Sequence, residues 1–337
     1  MLRILLCCTA IFALAASAAL AQDRHPFMGN YHGEFSSPFQ SYDIRAEVIA
    51  EGGPHYRAVF FVGSDSGWQS FEERVQIHGV ADEEDLVLTF EGDLDFGSNL
   101  GGSYTLNATV QDEVFEGSFE NADRSVDFSL TRVFLESPTL GMEPPKGAML
   151  LFDGNHMDHW ERWPNEKWCL TGDGAMEVCG SNLKTIEEFG DTEIHVEFRT
   201  PLMAHARGQA RGNSGVYVHG RYEIQVLDSF GQLPRDNYCG GIYQISAPIV
   251  NATLPPTEWQ TYDITYRAPR FDEDGEKVEH AVITVKHNGI LIHDDLVMEH
   301  ATPGGVSDVE SAMGPLLLQD HGDRVAFRNI WIRPLED

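Results

Sequence analysis

Basic side chains are scarce in this chain. Its 337 residues hold 23 lysines and arginines against 53 aspartates and glutamates, a formal net charge of -30. A surface of that sign repels phosphate backbones, anionic lipid and polyanionic sugars, so nucleic acid and an anionic membrane surface are excluded as partners. Neutral sugars and cations stay open, and the acidity also has the plain use of keeping an exported protein soluble. Cysteine is scarce too, with five in all and no C-x-x-C or C-x-x-H spacing, which removes a zinc site. Long apolar runs are missing beyond Ile4 to Ala19, which follows the positive start Met1-Leu2-Arg3 and precedes the small-residue sequence Ala19-Leu20-Ala21. That arrangement predicts a secretory signal peptide over 1–21, too short for a lasting membrane span, and hence a periplasmic or extracellular chain.

Cys7 and Cys8 leave with the signal. Of the other three, Cys169 and Cys179 flank a Gly-Asp-Gly turn in WCLTGDGAMEVC. A short hairpin loop there sets them directly opposite each other, so either a disulfide or two buried thiols fits. Cys239 has no partner in either case.

Length and a 42% hydrophobic content suffice for two cores. Residues 22–135 alternate in short runs such as YDIRAEVIA and GSYTLNATV, where Ile44, Ala46 and Val48 face one way and Asp43, Arg45 and Glu47 the other. This is the period of half-buried strands in a small antiparallel barrel or sandwich. His32, His55 and His78 are scattered through it and read as surface or half-buried side chains. The segment 136–147, ESPTLGMEPPKG, lacks periodicity and reads as a linker. Strand patterns resume over 148–337, with Asn288-Gly289 as a type I′ hairpin turn. In EIHVEFR, Ile194, Val196 and Phe198 form an apolar face, and Glu193, His195, Glu197 and Arg199 a polar one suited to a solvated groove. The fold class is all-β: a two-sheet jelly roll preceded by the smaller antiparallel β domain.

Within that second half, GNSGVYVHGRYEIQVLDSFG carries Glu223, Gln225 and Asp228. Glu223 and Gln225 share a strand face about 6.6 Å apart, whereas Asp228 joins them only if an extra residue near Val226 or Leu227 bulges the strand. The E-x-Q-x-x-D spacing resembles the E-x-D-x-x-E strand of laminarinase-type β-glucanases, whose outer carboxylates are nucleophile and general acid/base. Here Gln225 and Asp228 depart from that pattern, and the shorter Asp widens a gap that retaining hydrolysis holds to about 5–5.5 Å. Polar residues on an exposed sheet face are the structural alternative.

A longer ordered set, LFDGNHMDHW, DGAMEV, GNSGVY, YEIQVLD, EWQTYDITYRAPRF, HNG and LLLQDHGDRVAFRNIWI, resembles the 3-keto-disaccharide hydrolase domain over Ala148 to Leu335. The resemblance implies a concanavalin-like jelly roll acting on an oligosaccharide or glycoside oxidised to a ketone at C3. Such chemistry removes the C2 proton, eliminates the C1 oxygen and adds water, so it needs a base, an acid and enolate stabilisation. On that basis Glu223 and Asp228 are the acid/base candidates and His321 shares in proton transfer. Asn213, Tyr217, Gln225, Gln319 and Asp320 would orient sugar hydroxyls. Each has a structural alternative: a turn for Asn213, core for Tyr217, an Asp turn for Asp320-His321-Gly322. A divalent metal ion on His321, Asp320 or Glu223 would suit an enolate, although no dense ligand motif supports it. His219 reads as a surface histidine, and Trp160, Trp163, Trp168 and Trp259 as core or as sugar platforms. The competing functions are a lectin-like module that binds carbohydrate without cleaving it, and an interaction protein.

Overall fold

In the computed structural model, residues 25–36, 41–63, 73–97, 102–161 and 168–335 are described. The expected leader and Trp163 lie outside them. The chain divides into two compact units, the first spanning Met1–Ala50 and Pro54–Val133, the second Glu51–Gly53 and Phe134–Asp337.

The first unit is a closed antiparallel barrel of eight strands: β1 (Gly29–Ser36), β2 (Ser41–Gly52), β3 (His55–Gly63), β4 (Glu73–Asp82), β5 (Val87–Asp95), β6 (Ser103–Gln111), β7 (Val114–Glu120) and β8 (Ser125–Val133). Closure comes from β8 pairing back on β1, with Asn30 opposite Val133. This chooses the barrel over the sandwich, and it leaves no sheet edge exposed. Alternation supplies the interior: Leu88 and Phe90 point in between exposed Thr89 and Glu91. Phe60, Phe90, Phe115, Phe119 and Phe128 fill it, with Phe119 and Phe128 stacked at 4.8 Å and Phe60 and Phe115 tilted at 5.2 Å. Side chains of this size leave a packed core in a barrel of this strand number.

The second unit is a two-sheet sandwich. Its strands are β9 (Met149–Phe152), β10 (Trp168–Leu170), β11 (Met176–Val178), β12 (Leu183–Lys184), β13 (Thr192–Arg199), β14 (Ser214–Val218), β15 (Tyr222–Val226), β16 (Gln260–Arg267), β17 (Arg270–Phe271), β18 (Lys277–Glu279), β19 (Ala281–His287), β20 (Ile290–Met298), β21 (Leu317–Leu318) and β22 (Ala326–Pro334). The large sheet runs β10-β11-β22-β13-β16-β19-β20, with β9 on β22, and the small one β12-β21-β14-β15. Ile194, Val196 and Phe198 from the large sheet share one buried core with Val216, Val218, Ile224 and Val226 from the small sheet. Between β19 and β20, Asn288 and Gly289 take φ of 52° and 76°, as a type I′ turn requires.

The cysteines and His219 take definite places. Cys169 and Cys179 are joined by a disulfide with a Cα separation of 6.2 Å. Trp168 pairs with Val178 and Cys169 with Glu177, so the cysteines lie diagonally across the hairpin and not directly opposite. Cys239 is buried and free. His219 is buried, because a φ of 57° in the β14–β15 turn brings its ring onto Tyr266 at 4.7 Å, and burial lowers its pKa to about 4.

The polar face of β13 is no open groove either, since the proline-rich segment before β9 lies along it. Ser137 bonds Thr261 at 2.6 Å, Thr139 donates to Asp263 at 2.6 Å, and the Gly141 amide donates to Glu197 at 2.5 Å. Aperiodic sequence here means a strap of individually satisfied hydrogen bonds in place of free chain.

Candidate functional site

The site forms on the small sheet, on the side away from the shared core. Tyr217 sits opposite Glu223 and Gly215 opposite Gln225 in the β14–β15 ladder, and because Val216, Ile224 and Val226 point into the core, these four face outward together. Gly215 supplies the room: a Cβ there would lie 2.3 Å from Glu223 Oε1. Despite facing outward, Tyr217, Glu223 and Gln225 are at most 2% exposed. Loops flank them: Thr302 Oγ1 accepts the Glu223 backbone N–H at 2.9 Å and the Gly241 carbonyl the Gln225 backbone N–H at 2.9 Å, along the free edge of β15.

Glu223 is the electrostatic centre. Burial raises its pKa to about 7, against the pull of the Tyr217 hydroxyl, which donates to Oε2 at 2.9 Å. A carboxyl ionising there is half loaded at neutral pH, the condition for taking and returning a proton. Burial and the neighbouring Glu223 hold the Tyr217 phenol well above its ordinary value, so it stays protonated. Its oxygen accepts from Gln319 Nε2 at 3.1 Å, and the Pro303 carbonyl lies 2.9 Å away as a second acceptor.

Around this pair stand amides. Asn213 Nδ2 donates to the Gln209 carbonyl at 2.8 Å, and Gln225 Nε2 to Gln209 Oε1 at 3.1 Å. Asn213 Oδ1, Gln225 Oε1 and Gln319 Oε1 are buried without a hydrogen-bond partner among the described residues. Buried acceptors of this kind are costly in a finished core and useful where a ligand donates into them.

Asp228 is placed differently. The alternation breaks after β15, for Val226 and Leu227 both enter the core. Asp228 then receives Arg211 Nε at 2.6 Å, and its side chain is 1% exposed. Burial pushes this carboxyl up and the Arg211 guanidinium pulls against it. Arg211 also reaches the Ala204 and Ala206 carbonyls at 3.2 and 3.3 Å, so the pair ties the loop before β14 to the end of β15. Asp320 is half-exposed and its Oδ1 accepts the Gly322 amide at 2.8 Å, making the Asp turn of the structural alternative. His321 is exposed on that turn. Among the described residues no group of three or more His, Cys, Asp or Glu is arranged to hold a metal ion.

Three tryptophans lie away from Glu223. Trp160 is core and donates to the Leu151 carbonyl, Trp168 donates to that of Ser181, and Trp259 is stacked by Arg199 and Arg328 at 4.6 and 4.1 Å. Gln209, Arg211 and Thr302 were not anticipated. Arg211 adjoins the GNSG run, which could have drawn attention to it, but nothing local marks Gln209 or Thr302.

Residues 147–333 match the family described as the 3-keto-alpha-glucoside-1,2-lyase-like domain. Among solved structures, one from Parabacteroides distasonis ATCC 8503, described as a candidate glycosyl hydrolase, is 36% identical with a TM-score of 0.52, over 57% of this chain and 85% of that one. A second from the same organism with the same description is 24% identical with a TM-score of 0.41, over 56% and 99%. No curated protein matches significantly.

Proposed function

The chain belongs to the 3-keto-alpha-glucoside-1,2-lyase-like family, and from that premise we propose that it is an exported enzyme cleaving glycosides that carry a ketone at C3. The observation that carries this reading is Glu223, a buried carboxyl raised to about 7, seated over Gly215 and bonded by Tyr217.

The C3 ketone acidifies the C2 hydrogen. Glu223 as carboxylate takes that proton, the C–H electrons pass into the enolate of C2 and C3, and the enolate expels the glycosidic oxygen from C1. The leaving oxygen takes a proton, and water adding across C1 and C2 completes hydrolysis; without that last step the reaction is a lyase's. No nucleophile under C1 is needed, which agrees with Asp228 being engaged by Arg211. Asp228 therefore acts here as a positioning residue, a change from its expected acid/base part. Tyr217 holds Glu223 while it is a carboxylate, and once Glu223 carries the C2 proton the phenol O–H is released to donate to the enolate oxygen. His321 is the candidate acid for the leaving oxygen, and the amide oxygens of Asn213, Gln225 and Gln319 receive sugar hydroxyls. The Cys169–Cys179 disulfide suits an oxidising compartment.

The test is incubation with a chemically prepared 3-keto-disaccharide, following release of the reducing sugar. Wild type releases it and Glu223→Gln does not; deuterium at C2 slows the wild-type reaction. The unpartnered amide oxygens favour a second reading, a lectin-like module. If wild type and Glu223→Gln both bind the sugar and neither cleaves it, that second reading stands.

A further inference from the structure

We infer that Gln209 is a positioning residue that fixes which way the amides of the site face, an inference that rests on the sugar-directed reading above. It lies in the 3-10 turn Gly208–Ala210, next to the Arg211 that anchors this loop to Asp228. Gln209 Nε2 donates to the Asn237 carbonyl at 2.6 Å. Only the nitrogen end of an amide can face a carbonyl, so this bond sets the orientation of Gln209 itself. Its Oε1 is thereby turned toward the site, where it accepts from Gln225 Nε2 at 3.1 Å and Asn213 Nδ2 at 3.3 Å.

Orientation then propagates. An amide left to itself presents a donor or an acceptor equally well. Gln225 and Asn213 must both give their nitrogen to Gln209, which leaves Gln225 Oε1 and Asn213 Oδ1 as the groups without a partner. The site therefore presents acceptors at those two positions, and it selects ligands with hydroxyls there. A ligand lacking such a hydroxyl leaves a buried acceptor unsatisfied, the kind of loss that discriminates strongly. Asn213 keeps a second anchor in the Gln209 backbone carbonyl at 2.8 Å. Gln225 Nε2 has Gln209 Oε1 for its bond, so Gln225 is the amide that a change at Gln209 frees.

Gln209→Leu removes the acceptor that Gln225 uses and leaves the backbone carbonyl that Asn213 uses. In Gln209→Leu the KM for the 3-keto-disaccharide rises about tenfold, one hydrogen bond's worth, with kcat within about threefold. Side-chain amide exchange of Gln225, followed by NMR without any sugar, quickens at least about tenfold in Gln209→Leu, while that of Asn213 changes by less than about threefold. The inference is overturned if Gln209→Leu changes neither KM nor Gln225 exchange, or if Asn213 exchange quickens as much as that of Gln225. Should Gln209→Leu fail to fold, Gln225→Glu removes the same bond from the other side, and an unchanged KM there overturns the inference as well. A wild type that cleaves no keto sugar defeats the proposed function alone, since the exchange measurement still decides the part played by Gln209.

Discussion

Two buried glutamates of the second unit, Glu197 on β13 and Glu223 on β15, come from sequence contexts that look alike and end at opposite extremes. Both sit in alternating strands, apolar neighbours to either side, and both side chains are withdrawn from water. Burial raises each carboxyl, but Glu197 falls to about 2 and Glu223 climbs to about 7. The difference is the number of donors. Glu197 receives the Gly141 amide at 2.5 Å, Asn329 Nδ2 at 2.8 Å and Arg328 Nε at 2.6 Å, with His195 Nε2 beyond hydrogen-bond reach at 3.6 Å, whereas Glu223, among the described residues, receives the Tyr217 hydroxyl and no cation. A buried acid is structural when its lone pairs are filled and reactive when they are not.

The largest test of that contrast is catalytic. Glu223→Gln lowers turnover of a 3-keto-disaccharide by about 1,000-fold, the usual size of a lost general base, while Glu197→Gln leaves it within about threefold. The wild-type rate rises with pH through about 7, the ionisation of Glu223. A loss of turnover in Glu197→Gln equal to that in Glu223→Gln, with the fold intact, would erase the distinction between the two faces.

Next in size is stability at Glu197. Replacing it with Gln removes a charge that Arg328 bonds directly and costs about 3 kcal/mol, seen as a lower melting temperature or denaturant midpoint. The linkage runs with the depressed pKa. Its contribution is complete above the ordinary carboxyl value near 4.5 and is lost as pH falls toward about 2. A melting temperature for Glu197→Gln equal to wild type at pH 7 contradicts it.

Glu223 carries the opposite sign. Its folded pKa lies above the unfolded one, so the native state holds the proton more tightly and stability declines as pH rises from about 4.5 to about 7. At pH 8 the ionised side chain costs the fold about 2–3 kcal/mol. Glu223→Gln is thus more stable than wild type at pH 8 and matches it at pH 4, a gain bought with activity. Equal unfolding free energies at pH 8 would show that the site is not strained by its charge.

Much of this architecture was legible in advance, and what was hidden was consistently a matter of partners. Alternation gave the strands because burial on one face imposes period two, and Asn288-Gly289 gave its turn because few residues accept left-handed φ. The consecutive apolar pair Val226-Leu227 marks the break after β15. Which acid stays free could not be read, since Asp228 meets Arg211 across a loop and Glu197 meets Gly141 from a segment without periodicity. His219 misled because its burial depends on one backbone angle.

Gly215 permits the finest test, for it separates where the Glu223 carboxylate sits from whether it is there. Its backbone is not left-handed, so alanine is conformationally acceptable, and the atoms nearest an added Cβ all belong to Glu223: Oε1 at 2.3 Å, Cδ at 3.0 Å and Cγ at 3.1 Å. Gly215→Ala therefore moves one flexible side chain and leaves the ladder to Gln225 intact. Displacing a base by about an ångström costs roughly tenfold or more in turnover, while the melting temperature falls by only a few degrees, the size of an overpacking of about 1 kcal/mol that one side chain can relieve. Among the described residues no glycine lies beneath Glu197 in this way, and its donors fix it. Full activity in Gly215→Ala would mean that the position of the carboxylate over this glycine has no bearing on the chemistry, and the assignment of Glu223 as base would go with it.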